Sequence, residues 1–510
     1  MLALWLVVAG FLASGHVMWR DEVRAWTLAL SGDTVAAMLR GVRGEGHPGL
    51  WYLMLRGADA VLPKAQAMPI TAFAVGAAAA AIFALRAPFR WPILALVLFG
   101  RFALYEYTVM ARNYGISMLV LFAMAALYTR HRDKGWVLGL LLGLLCNTNA
   151  PSVVLAAAFL LFWAIDLRAD HPIGWTRPWR AWLIGAGMAT IGVVLCVLEI
   201  YPPFNDAAAI APPGSIDVAM LRGLEMLSLA GDHFKEWIPL GPFQLRKHLH
   251  IAVIPLLLGG ALLRWRSAPA ALLAGAAATL GLLAMFTFVY DGAYRHQALL
   301  IVFFVVLAWL VAQGHGGCWP QNWSLGPRKA RSARRFSNAA ILVALGLQDI
   351  QSVQLVGRGL RGMPESRSFE LAQLLARPDL RDAIVIGDPD YNLESLRYYV
   401  PNPTYFLREH RFGGYTIFSR HAKRMIRLSG VLETARRLHA ATGRPIVIAM
   451  SEPLFRAGTP AWHPRGFYGD MLQSAEELHR FLSETRGLAR FPLLADGDES
   501  YDVFLYEGTR

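Results

Sequence analysis

The chain has 510 residues, 55% of them hydrophobic and only 17% charged, and its mean hydropathy is +0.38. Soluble domains carry about 25% charged residues, so disorder, collagen and coiled coil are excluded, a wholly soluble chain is disfavoured, and a polytopic membrane protein fits. The net charge of +13 reads as arginines holding loops on the cytoplasmic side rather than as nucleic-acid binding. Cys146, Cys196 and Cys318 have no paired spacing, hence no disulfide framework or metal knuckle.

A membrane-crossing helix needs about 20 apolar residues. The first apolar run, 2–19, lacks a basic leader and reads as an uncleaved span. Behind it stands Arg20-Asp21-Glu22-Val23-Arg24-Ala25-Trp26, two carboxylates at the membrane face; the plain alternative is a solvated helix end with a local Arg–Glu pair. Gly46-His47-Pro48-Gly49 then opens an apolar stretch over 48–62, short enough to lie along the interface. The two segments read as the wall of a cavity at the bilayer surface. Runs at 67–85, 91–107 and 113–129 follow. The last two are joined by a segment holding Glu106, Arg112 and Tyr114 near hydrocarbon depth, where ionisable groups are costly and mark function. The bland alternative is a Glu106–Arg112 pair locking two helices. Runs 136–148 and 150–165 are split by a tight turn at Asn147-Thr148-Asn149-Ala150-Pro151. Runs 181–200, 249–263, 268–289, 297–313 and 337–353 complete eleven expected spans. Before 297–313, Arg295 and His296 suit a phosphate at headgroup level, or anchor the span by snorkelling.

With the N-terminus inside, every inside loop is basic, from Arg86 and Arg90 through Arg130, Arg132 and Lys134 to the arginines at 328–335, as the positive-inside rule requires. The outside segments carry Asp21, Glu22, Glu106, Glu199, Asp206 and Asp291. This divides the chain into a transmembrane domain, 1–357, and an extracytoplasmic α/β domain, 358–510. In the latter, helices are expected at 365–377, 393–399, 431–441 and 475–485, and strands at 383–387, 445–450 and 501–506. Ile386-Gly387-Asp388-Pro389-Asp390-Tyr391 follows a strand, where open α/β sheets bind ligands; the favoured reading is an ordinary turn and helix cap. This domain is expected to admit an acceptor or cover the cavity.

The acidic pair after span one, His47-Pro48 before an apolar helix, and Tyr105-Glu106 leading to Ala111-Arg112-Asn113-Tyr114 form an ordered set. It resembles the GT-C membrane glycosyltransferases, in the branch similar to protein mannosyltransferases and lipid A aminoarabinose transferases (glycosyltransferase family 39-like), over about residues 1–310. The resemblance implies a polyprenyl-phosphate sugar donor, chemistry on the outer face, Asp21 as catalytic carboxylate with Glu22 beside it, Glu106 as second acidic residue, His47 and Pro48 shaping the cavity, and Arg112 and Tyr114 at the Ala-Arg-x-Tyr positions. Gly49 stands where the family usually has a second proline, and the aromatic spacing after the acidic pair is missing.

The chemistry fits these residue types. A carboxylate takes the acceptor hydroxyl's proton, and Arg112 and Arg295 offset the charge of the phosphate leaving group. A single in-line displacement inverts the anomeric centre. A divalent metal ion between Asp21, Glu106 and His47 is a further option. The expected function is an inverting glycosyltransferase of the bacterial cytoplasmic membrane, with Asp21, Glu22 and Glu106 catalytic and His47, Arg112, Tyr114, Arg295 and His296 binding substrate. Its partners are a lipid-linked sugar donor and a cell-envelope polysaccharide, lipid or protein acceptor. The alternative is a non-catalytic lipid-linked glycan binding, transport or assembly protein using the same cavity.

Overall fold

A computed structural model describes residues 1–201, 259–260, 262–290, 292, 294–317, 327–364, 366–419, 421–451, 471–494 and 499–508. Ten helices precede residue 201: α1 (Leu2–Gly15), α2 (Arg20–Ala29), α3 (Val35–Val42), α4 (Leu50–Asp59), α5 (Lys64–Arg86), α6 (Trp91–Leu98), α7 (Tyr114–His131), α8 (Trp136–Cys146), α9 (Ala150–Asp170) and α10 (Arg177–Ile200). Helices Pro269–Phe288, Leu299–Ala312 and Pro327–Leu360 complete the bundle among the described residues.

The protein is a helical membrane protein, but the count of eleven spans is not met. Among the described residues six helices are long and apolar enough to cross a bilayer: α5, α9, α10, Pro269–Phe288, Arg295–Ala312 and Arg331–Leu360. A seventh results if α1 and α2, bent by 87° to each other, count as one. For α6 and α8 the physical reason is length. At about 1.5 Å per residue, the eight residues of α6 and the eleven of α8 fall well short of a hydrocarbon core about 30 Å thick. The run at 91–107 is broken because α6 gives way to a π-helical turn, Phe102–Glu106. The run at 249–263 lies almost wholly outside the described residues, and the arginines at 328–335 belong to the start of a 34-residue helix rather than to a loop.

Local chemistry sets the helix ends. The turn at 147–151 occurs as expected: Asn149 caps α9 by accepting from the Ser152 amide at 3.1 Å, and Pro151 sits within the first turn, where its missing N–H costs nothing. Small residues let helices close. A Cβ on Gly192 of α10 would stand 2.7 Å from the Gly143 carbonyl of α8, a glycine seam of the kind that packs helices in lipid. The interior is polar in one layer, where Ser117, Thr148, Asn149 and Ser152 hydrogen-bond to one another. At the far end of α7, Tyr128 and Arg132 both donate to Asp166 of α9. Cys146 and Cys196 are buried free thiols; Cys318 lies outside the described residues.

The C-terminal part is the expected α/β unit. Its four-stranded sheet has the order Ile384–Asp388, Ile446–Met450, Tyr501–Tyr506, Arg486–Phe491, with the first pair parallel and the others antiparallel. Alternation divides its side chains between two cores. Ile384, Ile386, Ile446 and Ile448 pack on one side, and Val385, Val447, Val503 and Leu505 on the other. The helices occur at Ser368–Leu375, Leu396–Tyr399, Leu428–Thr442 and Ala475–Glu484. The edge strand 486–491 is missed by the sequence reading because its burial is irregular, with no core-facing alternation.

Candidate functional site

A cavity of about 350 Å³ lies where α2, the 43–49 loop and α4 meet the segment before α7 and the C-terminal domain. The bundle contributes Arg20, Asp21, Arg24, Glu45, His47, Trp51, Tyr52, Arg112 and Asn113; the C-terminal domain contributes Tyr391, Glu394 and Phe418.

Asp21 is placed here by the start of α2. The helix turns 87° from α1, and Glu22 reaches back to the Trp19 amide at 3.1 Å to fix its first turn, where acidic residues also suit the helix dipole. Asp21 then faces Arg112 at 3.0 Å, with Arg20 at 3.5 Å and Arg295 at 3.9 Å. Burial pushes its proton affinity up, but Arg112, Arg20 and Arg295 more than reverse this and hold the carboxyl well below the usual range. His47 is likewise driven away from protonation. Burial, reinforced by Arg112 and opposed only by Asp21, holds its pKa down to about 3, so the imidazole is neutral at pH 7. Burial and the neighbouring Glu45 raise the Tyr52 phenol, which keeps its proton.

The remaining expected residues divide. Arg112 lines the cavity, and its guanidinium lies 5.9 Å from the Tyr114 ring centre. Tyr114 is fully buried behind it and hydrogen-bonds to His296 Nε2 at 2.6 Å. Arg295 stands behind Asp21, stacked 5.2 Å from the Trp19 ring centre. Glu22 is fully buried and off the cavity wall: it holds His16 at 2.9 Å and accepts from the Ala111 amide at 2.5 Å, tying α2 to the 107–113 loop. Glu106 is also buried away from the wall, at the end of the π-helical turn. It accepts from Arg101 at 3.1 Å and lies 3.7 Å from Arg295. The Glu106–Arg112 lock, the bland alternative for this segment, does not form; Arg112 pairs with Asp21 and Glu106 with Arg101. Asp21, Glu106 and His47 therefore do not converge as ligands. Among the described residues no three of His, Cys, Asp and Glu are grouped to hold a metal ion.

Gly49 is fixed by local contacts. Its amide donates to Glu199 at 2.6 Å, and a Cβ there would meet Leu39 Cδ2 at 2.7 Å. Proline offers no N–H for this bond, and its ring would make the Leu39 side chain shift.

The C-terminal wall is fastened by charge. Arg24 makes a two-pronged contact with Glu45 at 2.6–3.0 Å and reaches Glu394 at 2.7 Å, while its guanidinium stacks 4.6 Å from the Phe418 ring centre. Arg20 donates to Asn392 at 2.6 Å and stacks on Tyr391. Tyr399 donates to the Met18 carbonyl at 2.7 Å. The expected turn and helix cap at 387–390 is met only in part: Gly387 and Asp388 end the first strand and a short 3₁₀ turn, Asp390–Leu393, follows without a side-chain cap, while Asp388 pairs with Arg408 at 2.8 Å and Asp390 accepts from the Arg408 amide. None of Arg20, Arg24, Glu45, Trp51, Tyr52 or Asn113 is singled out in the sequence as a site residue. Arg20 and Arg24 lie in the 20–26 segment and Asn113 in the 111–114 segment, and their nearness in sequence to Asp21 and Arg112 was the available signal.

Fold and cavity together define a helical membrane protein with a polar, arginine-rich chamber closed on one side by an α/β domain. Comparison with protein-family models, curated proteins and solved structures finds no match.

Proposed function

We propose that the protein is an inverting glycosyltransferase that moves a sugar from a polyprenyl-phosphate donor to an acceptor hydroxyl, with Asp21 as base. The observation that carries this reading is a carboxylate gripped by Arg112, with Arg20 and Arg295 close by, in a chamber at the end of the bundle. Three cations around one carboxylate suit a site that receives a second anion. When the donor phosphate enters, it draws Arg112 and Arg295 to itself. Asp21 loses their stabilisation, its proton affinity rises, and it becomes a competent base.

The step then balances simply. Asp21 takes the acceptor O–H proton as that oxygen attacks the anomeric carbon. The carbon–oxygen bond to phosphate breaks, and polyprenyl phosphate leaves with the electron pair, its charge met by the arginines. Glu22 and Glu106 serve as positioning residues: Glu22 fixes the start of α2 and Glu106 holds Arg101 and Arg295. The chamber faces the outer side of the bacterial cytoplasmic membrane, together with the C-terminal domain. Of the eleven-span GT-C plan, this reading keeps an acidic first external segment. One observation favours the alternative of ligand binding without chemistry: at rest Asp21 is ion-paired and a weak base. Membranes carrying the protein, supplied with radiolabelled polyprenyl-phosphate sugars, separate the two. Transfer with inversion is expected; retention of the donor's anomeric configuration, or binding with no transfer, overturns the proposal.

A further inference from the structure

Among the described residues, two polar atoms of cavity-lining side chains have no hydrogen-bond partner, the Trp51 indole Nε1 and the Asn113 amide Oδ1. Both side chains are only 3% exposed. The first atom can only donate and the second can only accept. A buried polar group left unpaired is costly, and a ligand that pairs with it recovers that cost. The other end of the Asn113 amide is fixed, since Nδ2 donates to the Thr148 carbonyl at 2.6 Å and stands 3.5 Å from His47 Nδ1. His47 and Tyr52 beside them are neutral at pH 7. By contrast the carboxylates of the cavity, Asp21, Glu45 and Glu394, are each already paired with an arginine.

We infer that Trp51 and Asn113, with His47 beside them, form a subsite for the hydroxyl groups of an uncharged sugar ring. A hydroxyl is the group that accepts from an indole N–H and donates to an amide oxygen, and adjacent hydroxyls on a ring satisfy both atoms. The aromatic faces of Trp51 and Tyr52 offer apolar surface to the ring's C–H side. An ammonium on the sugar finds the carboxylates of the cavity already paired with arginines and is selected against. The inference rests on the transferase reading only for the attachment of that ring to a lipid phosphate.

The test uses the full-length protein in detergent, titrated with polyprenyl phosphate and with polyprenyl-phosphate-linked glucose, galactose, mannose, arabinose and aminoarabinose. Binding is read by native mass spectrometry, and transfer is assayed separately. At least one neutral sugar lipid is expected to bind about tenfold more tightly than polyprenyl phosphate, with no such gain from aminoarabinose. Trp51→Phe and Asn113→Ala are each expected to remove about tenfold of that gain. The two residues sit on different segments, so loss of fold in one variant leaves the other as the readout. Three results overturn the subsite: no neutral sugar adds affinity, the amino sugar adds as much, or both variants keep the full gain. A sugar-dependent gain in a wild-type protein that transfers nothing upholds the subsite and removes the transferase reading.

Discussion

Asp21 and His47 share a cavity and both lose proton affinity there, with opposite consequences for charge. The carboxylate is held ionised by arginines, and the imidazole is held neutral with its pKa at about 3. His47 therefore does not change charge between pH 5 and 8, and the pH profile of transfer should show no limb from it. An inflection near 6.5 that vanishes in His47→Gln would contradict this. Asp390 offers a second test. Burial, with Asp388 adding to it and the Arg408 amide opposing it, raises its pKa to about 7. The folded protein holds this proton up to about pH 7, whereas the unfolded chain releases it near 4. The folded state binds more protons over that interval, so stability falls as pH rises through it, by up to about 1.4 kcal/mol per pH unit. Asp390→Asn should flatten the fall in Tm between pH 4 and 7; an unchanged slope would show that Asp390 does not titrate there. At this scale the sequence was partly legible. Asp21, His47 and Arg112 do share one wall, because juxtamembrane charges and a His-Pro turn limit where the chain can go. The partner of Glu106 was not legible, since a π-helical turn brings Arg101 to it and no periodicity announces such a turn.

Elements are locked to one another by single contacts that carry more than their length implies. Gly49 joins the start of α4 to the end of α10 through Glu199. Gly49→Pro removes a hydrogen bond to a charged acceptor and adds a clash, and should cost about 2 kcal/mol, read as a lowered Tm. An unchanged Tm would mean that Glu199 finds another donor. Arg24 is the strap between α2, Glu45 and the C-terminal domain. Arg24→Met leaves the buried Glu394 and the partly buried Glu45 without their cation, a loss of about 3 kcal/mol, and limited proteolysis should then release the C-terminal domain. Protease resistance equal to wild type would refute the strap. Neither lock could be read from spacing, because Glu199 lies 150 residues from Gly49 and Glu394 lies 370 from Arg24. The helices and strands of the C-terminal domain, by contrast, were largely legible: their apolar periods switch between 2 and 3.6, and the strand Tyr501–Tyr506 falls where alternation put it.

For the whole molecule, hydropathy settled the class, but over the described residues it expected more spans than there are long apolar helices, because an apolar run does not disclose where its helix breaks. The cavity is assembled from segments at residues 20–24, 45–52, 112–113 and 391–418, so it requires that the first polar segment and the C-terminal domain lie on one side of the bilayer. Single cysteines at Asp33 and Asp379, in a background lacking native cysteines, should both react with an impermeant maleimide added from outside intact cells. Reaction of one and not the other would break that requirement. Transfer then requires Asp21 to do chemistry in the chamber. Membranes with matched amounts of wild type and Asp21→Asn, given the same radiolabelled polyprenyl-phosphate sugar, should differ by about 10²–10⁴ in transfer rate while binding the lipid alike. Undiminished transfer by Asp21→Asn would contradict the account.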